Sequence, residues 1–231
     1  MIDEKFDHVD SEFRELSPLK RIERAYLIFG DKLVISSKFG PNSGALLHMA
    51  VSVVPEIPVI FILHPYIEHF SPQTLEYAGL LKRKLDLNLQ PIEPVFGKVS
   101  IERITKVFNE EDENPELKIE ADWLRETNKV EPLQRALINL KAEAWISGVK
   151  SSDNGNRASF RFFMSDEKYK VYRVHPIFDL TKEQILDYQR EHELPTYEKY
   201  YDVFKGKSQK KECGLHNLSP TQAQSLDGSG L

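Results

Sequence analysis

Residues 32–54 read K-L-V-I-S-S-K-F-G-P-N-S-G-A-L-L-H-M-A-V-S-V-V, and their reading decides the fold. Leu33, Val34 and Ile35 make a short apolar run, the composition of a strand buried on both faces. Six of residues 37–44 are Ser, Gly, Pro or Asn, so the chain turns there. A helical pattern resumes at Ala45. A loop between a strand and a helix offers backbone N–H groups beside the helix's positive end, which suits an anion such as phosphate. Ser36, Ser37, Lys38, Phe39 and Gly40 are therefore candidate binding residues, although an ordinary βα turn has the same composition. No G-K-[ST] follows, so this is not a Walker A loop.

The alternation extends outward. Upstream, residues 11–30 place Leu19, Ile22, Ala25, Tyr26 and Phe29 at the spacing of one amphipathic helix. Downstream, P-V-I-F-I-L at 58–63 reads as a second buried strand, and a helix follows with Ser71 as N-cap and Pro72 in its first turn. Q-P-I-E-P-V-F at 90–96 reads as a third strand, and the acidic stretch 109–120 as solvated loop or helix surface. A helix is expected over 130–140, a buried strand over 142–149 and a hairpin within 160–174. Thr181 caps a last long helix. Strands and helices alternating at this spacing argue for an α/β fold, a parallel sheet with helices on both faces. Ligands on such sheets bind beyond the carboxyl ends of the strands.

Composition narrows the function. The 231 residues carry a net charge of −5, which disfavours a general nucleic-acid binder, and no apolar run is long enough to span a bilayer. The N-terminus M-I-D-E-K-F-D-H-V-D lacks the apolar core of a secretory signal, so a cytoplasmic location is expected. Cys213 is the single cysteine, so neither an intrachain disulfide nor a four-cysteine cluster or zinc site can form. Any redox chemistry at Cys213 takes its second thiol from another molecule.

Two further segments could carry chemistry. The loop after the 142–149 strand, G-V-K-S-S-D-N-G-N-R at 148–157, offers Lys150 and Arg157 as cations, although taken alone a solvated polar loop is the better reading. Near the C-terminus, K-G-K-S-Q-K-K-E-C-G-L-H places Lys205, Lys207, Lys210 and Lys211 before Cys213 and His216 after it. Neighbouring cations favour a thiolate, the reactive form of cysteine. A solvated charge run with an incidental thiol is the competing reading. His64 and His69 are metal ligands by type, but their spacing and the lack of a nearby third ligand argue against a site. His175, in apolar surroundings, reads as structural.

These pieces together resemble the phosphoadenylylsulfate (PAPS) reductases, the thioredoxin-dependent enzymes of assimilatory sulfate reduction. The most specific likeness is residues 205–216 around E-C-G-L-H; S-S-K-F-G at 36–40 is similar to the family's phosphate loop. K-V-E-P-L-Q-R-A-L at 129–137, A-W-I-S-G-V-K and G-N-R within 144–157, H-F-S-P-Q-T-L at 69–75 and V-H-P-I-F-D at 174–179 match in order and spacing. The resemblance implies an adenine nucleotide alpha hydrolase-like fold. It implies a nucleotide-binding domain over residues 1–200 and a flexible C-terminal segment over 201–231, carrying the catalytic cysteine and ending in a loose tail.

It also implies a function in sulfate assimilation and cysteine biosynthesis. Cys213 attacks the sulfonate sulfur of PAPS, releasing adenosine 3′,5′-bisphosphate, and a thiol of thioredoxin or glutaredoxin then frees sulfite from the S-sulfocysteine. The substrate contacts implied are the 36–40 loop, Gly148, Lys150, Arg157, Lys205, Lys207 and His216. A homodimer is implied, with neither nucleic acid nor membrane as partner. No bound cofactor is implied: relatives with an iron–sulfur cluster carry a Cys-Cys pair where this chain has Arg125-Glu126. Rival readings are a diverged sulfurtransferase or nucleotide hydrolase on the same scaffold, and a non-catalytic nucleotide-binding protein. The chain departs from the family's pattern at Leu63-His64-Pro65, at Lys150-Ser151 and Asp153, and in the long loop before the C-terminal signature, which is nearly absent.

Overall fold

A computed structural model describes residues 7–151, 160–209 and 215. Its centre is a six-stranded sheet of order β3-β2-β1-β4-β6-β5. The strands are β1 (Leu33–Ser36), β2 (Val59–Ile62), β3 (Leu89–Ile92), β4 (Ala144–Ile146), β5 (Phe163–Asp166) and β6 (Val171–Val174). All pair in parallel except the edge strand β5, which forms the expected hairpin with β6. Side chains alternate across the central strands. Leu33, Ile35, Val59, Phe61, Ala144 and Ile146 join one buried cluster, and Val34, Ile60 and Trp145 another. Both faces of the sheet are therefore covered, as the continuous apolar runs require.

On the first face lie α2 (Pro18–Phe29), α3 (Ser43–Val53), α5 (Pro72–Leu85) and α9 (Lys182–Glu191), which bury Ile22, Leu47, Leu81 and Ile185 there. Thr181 caps α9 through a full capping box with Gln184. On the second face, α8 (Glu131–Asn139) packs Leu133, Ala136 and Leu137 against Trp145.

Several sequence expectations are corrected. The single helix expected over 11–30 is two, α1 (Asp7–Glu15) and α2, because Pro18 can start a helix but not continue one; Ser17 caps the second. The third strand stops at Ile92, short of the expected 96. The acidic stretch 109–120 takes the second of its two expected forms and is mostly helix surface, divided between α6 (Ile101–Glu110) and α7 (Pro115–Arg125), with Asn114 capping α7 through both Glu116 and Leu117 N–H. Ser71 lies between the short helix α4 (Ile67–Phe70) and α5, but its hydroxyl does not cap α5. It instead donates to Tyr201 O (2.7 Å) and accepts from Tyr201 N–H (2.9 Å).

The helix expected over 130–140 is present as α8, and it runs on from α7 without a break. A π-helical turn, Glu126–Val130, joins α7 directly to α8. Pro132 lacks an N–H and its ring crowds the carbonyl four residues back, so the widened turn absorbs a residue that would otherwise break the helix. The turn also carries Asn128 and Lys129 inward, and both are buried.

Candidate functional site

The strand order reverses between β1 and β4, and their carboxyl ends open into one cleft, the place where doubly wound sheets bind ligands. The larger lobe is a cavity of about 400 Å³. It brings together Ser36, Ser37, Lys38 and Gly40 from the first loop, Gly148 and Lys150 from the second, and Lys205 from the C-terminal segment. The start of α3, at Asn42 and Ser43, also lines it, adding the positive end of a helix dipole. A smaller lobe of about 50 Å³ shares Ser36, Ser37, Lys38, Tyr200 and Leu215 with the first and adds His64 and Lys129.

The first loop is held by the sheet. Ser37 N–H donates to Ile60 O (3.0 Å) and Ser37 Oγ accepts from Phe39 N–H (3.0 Å). Trp145 donates from its indole to Ser36 Oγ (2.8 Å), tying the ends of β4 and β1 together. Phe39 lies at φ 50°, an unusual conformation for a bulky residue. Its fully buried ring meets Phe61 edge-on at 4.6 Å, and Tyr197 donates to its carbonyl (2.8 Å). Phe39 therefore supports the loop from beneath and is not among the residues lining either lobe.

The lining has one sign of charge. Lys38, Lys129, Lys150 and Lys205 face the two lobes, and no Asp or Glu lines either among the described residues. Lys38 also sits 4.7 Å from the centre of the Tyr200 ring. Ser147, just past the end of β4, lines the cavity; it is 1 % exposed, and its hydroxyl is buried with no hydrogen-bond partner among the described residues.

Behind the lining lies Asp202, only 2 % exposed. Its carboxylate stands 3.6 Å from Lys129 Nζ, and the Lys129 ammonium lies 4.8 Å from the centre of the Phe204 ring. Burial alone would push this carboxyl up. The lysines, Lys129 first and then Lys38 and Lys205, outweigh burial and hold it down at about 2. His64 is driven well below the ordinary histidine range, chiefly by burial and secondarily by Lys129, with Asp202 opposing. Its ring is half-buried, but Nδ1 is inaccessible and has no hydrogen-bond partner among the described residues, so the neutral form is the stable one.

The start of the C-terminal segment is docked on the domain. Val203 and Phe204 are buried in a satellite core with Tyr66, Ile104, Val107, Phe108 and Leu124. Arg125 clasps Glu111 with two hydrogen bonds (2.8 and 2.6 Å) and donates to Phe204 O (3.1 Å). Gln209 closes the turn by accepting from Asp202 N–H (3.0 Å) and donating to Asp202 O and Gly206 O. Gly206 has φ 61°, and a Cβ there would stand 2.2 Å from Phe108 O, so only glycine fits. This docking brings Lys205 to the cavity, while Lys207 is exposed and away from it.

Arg157, Cys213 and His216, with the expected tail at 218–231, lie outside the described residues. Leu215, two positions after Cys213, lines both lobes. His69 is exposed, and among the described residues no group of three His, Cys, Asp or Glu is placed to hold a metal. His175 is buried against Phe160, as its apolar surroundings suggest.

Residues 32–205 match the model of the phosphoadenosine phosphosulfate reductase domain. The chain belongs to that family. It is similar to the phosphoadenosine 5′-phosphosulfate reductase of Synechocystis sp., 30 % identical over 96 % of this chain and 95 % of the relative. The enzyme of the same name from Synechococcus sp. is 31 % identical over 95 % of this chain and 88 % of its own length. The PAPS reductase of Candida auris, solved as a phosphate complex, superposes with a TM-score of 0.64 at 23 % identity, covering 85 % of this chain and 90 % of that one. The fold is thus that of the PAPS reductases, adenine nucleotide alpha hydrolase-like, with a mostly parallel sheet between two helical layers.

Three cavity features of this family member were missed in the sequence. Lys129 sits in the quoted K-V-E-P block, and the helical proline at Pro132 signals the π turn that directs it inward. Ser147 sits in the quoted A-W-I-S-G-V-K block. Asp202 carries no local signal, because its partner is 73 residues away in the chain.

Proposed function

We propose that this protein reduces PAPS to sulfite and adenosine 3′,5′-bisphosphate, with Cys213 as nucleophile. The reading is supported by the family and by the lysine-lined cavity at the switch point; the observation that carries it is Leu215. That residue puts the chain two positions beyond Cys213 on the wall shared by both lobes. Lys38, Lys150 and Lys205, with the N-terminus of α3, attract and orient the phosphates. Arg157 and His216 are proposed to add contacts from their segments.

The Cys213 thiolate attacks the sulfonate sulfur, and the bond from that sulfur to the bridging phosphate oxygen breaks. The electron pair leaves with the nucleotide as adenosine 3′,5′-bisphosphate, and Cys213 is left as S-sulfocysteine. A thiolate of thioredoxin or glutaredoxin attacks the Cys213 sulfur and expels sulfite. The reductant's second thiol resolves the mixed disulfide, returning Cys213 as a thiol and leaving the reductant oxidised by two electrons. The expected assembly is a homodimer in the cytoplasm.

The test is direct. Incubation with PAPS should give a sulfonate adduct by intact mass, mapped to Cys213 and absent in Cys213→Ser. Adding reduced thioredoxin should release sulfite, with at least a thousandfold loss of turnover in Cys213→Ser, on the order of removing an essential nucleophile. Folded wild-type protein that gives neither adduct nor sulfite would overturn the proposal.

A further inference from the structure

We propose that Asp202 is the internal counter-anion of this cavity and sets how strongly it discriminates between nucleotides of different charge. The inference rests on the cleft being a nucleotide site. The four lysines are the charged residues on the described lining, and Asp202 is the carboxylate set directly behind them. Tyr201 before it and Lys205 after it both reach the lining, so Asp202 is fixed where the C-terminal segment meets the cleft.

Its two oxygens are used differently. Oδ1 accepts from Phe204 N–H (3.2 Å) and caps the turn that carries Lys205. Oδ2 is buried, has no hydrogen bond among the described residues, and faces Lys129 Nζ across 3.6 Å. A buried carboxylate with so few hydrogen bonds persists only where cations surround it. The low pKa of its carboxyl agrees, as does the neutral state of His64, which leaves the lysines as its counter-charge. The pair is a contact at ion-pair distance rather than a short hydrogen bond, so Lys129 is not saturated by Asp202.

A fixed negative charge in a low-dielectric site repels each charge of an incoming anion, so its effect grows with the ligand's charge. Asp202 thus weakens binding of a nucleotide bisphosphate more than that of a monophosphate. Removing the charge should tighten both, unequally. Loss of structure would weaken binding, so the expected sign separates this role from a merely structural one.

The experiment measures dissociation constants for adenosine 3′,5′-bisphosphate and adenosine 5′-monophosphate by calorimetry at low salt, in the wild type and in Asp202→Asn. Asparagine keeps the oxygen that caps the turn. The bisphosphate should bind about tenfold more tightly and the monophosphate about threefold. Equal change for both ligands, or weaker binding, would overturn the inference. Because Asp202→Asn leaves Lys129 buried and unpaired, the same charge is also removed between Lys129→Met and Lys129→Met/Asp202→Asn, where the pair is deleted as a unit. The preference for bisphosphate should rise from the first to the second by about threefold; an unchanged preference overturns the inference. If the wild type binds neither nucleotide, the nucleotide reading of the cleft fails first, and that outcome is recognisable before any variant is made.

Discussion

The two segments that meet at the cavity are built by different means. The loop over residues 36–44 continues a central strand into a helix, and backbone pairing with β2 and β4 sets its course. The segment over 201–209 has no strand or α-helix of its own. Side chains from elsewhere hold it: Ser71 on Tyr201, Lys129 on Asp202, and Arg125 on Phe204. A loop set by backbone pairing should tolerate the loss of one side chain. A segment set by side-chain anchors should not.

The largest expected effect is at Phe204, whose ring is fully buried and meets Phe108, His64 and Tyr66. Phe204→Ala should cost about 3–5 kcal/mol of stability, read from denaturant unfolding. It should also expose the peptide bonds around Lys205 and Lys207 to trypsin. A loss under about 1 kcal/mol, within the range of ordinary surface substitutions, would show that the segment is anchored elsewhere and would break the contrast.

Acid should find the same segment. For His64 the folded pKa is depressed, so below about 6.5 the unfolded chain binds a proton that the folded chain refuses. Stability should therefore fall as pH drops from that value. His48, lowered by burial and by His192, adds in the same direction. Asp202 is depressed from 3.8 to about 2, so its stabilisation is complete above the higher value and lost as pH falls through the lower. This fully buried carboxylate contributes about 2 kcal/mol by that linkage. Unfolding midpoints measured from pH 7 to pH 2 should show both declines. His64→Leu should flatten part of the first and Asp202→Asn the second. An unchanged slope between pH 6.5 and 5 in His64→Leu would mean that the ring is not held neutral.

The contrast also explains what the sequence could reveal. The strands β1, β2 and β4, the hairpin and α9 were legible because their signals are local: apolar runs, a capping threonine, small residues at the turns. Hence Ser36, Ser37, Lys38, Gly40, Gly148, Lys150 and Lys205 were singled out, and they do meet around one cavity. Phe39 was read with its neighbours, but only packing against Phe61 shows that it lies beneath the loop. Ser71 looked like a helix cap, and its use as a tether for Tyr201 depends on a contact spanning 130 residues. Asp202 and Lys129 likewise have meaning only as a pair. The shortened connection before Lys205 reads as a gap in the family's pattern, yet in the fold it is an anchored turn.

The smallest effect should come from the other side of the comparison. Tyr197 donates its hydroxyl to Phe39 O at 2.8 Å and lies 2.9 Å from Thr74 Oγ1. Tyr197→Phe keeps the ring, which packs on Tyr77, and deletes only these two links. Because Ser37 N–H to Ile60 O and the buried Phe39 ring still fix the loop, the expected cost is about 1–2 kcal/mol, the net worth of two hydrogen bonds. Nucleotide affinity should change less than about threefold, within the scatter of an indirect effect. A tenfold loss in Tyr197→Phe would mean that the loop depends on a single side-chain tether, as the 201–209 segment does, and that backbone pairing alone does not hold the phosphate-facing residues in place.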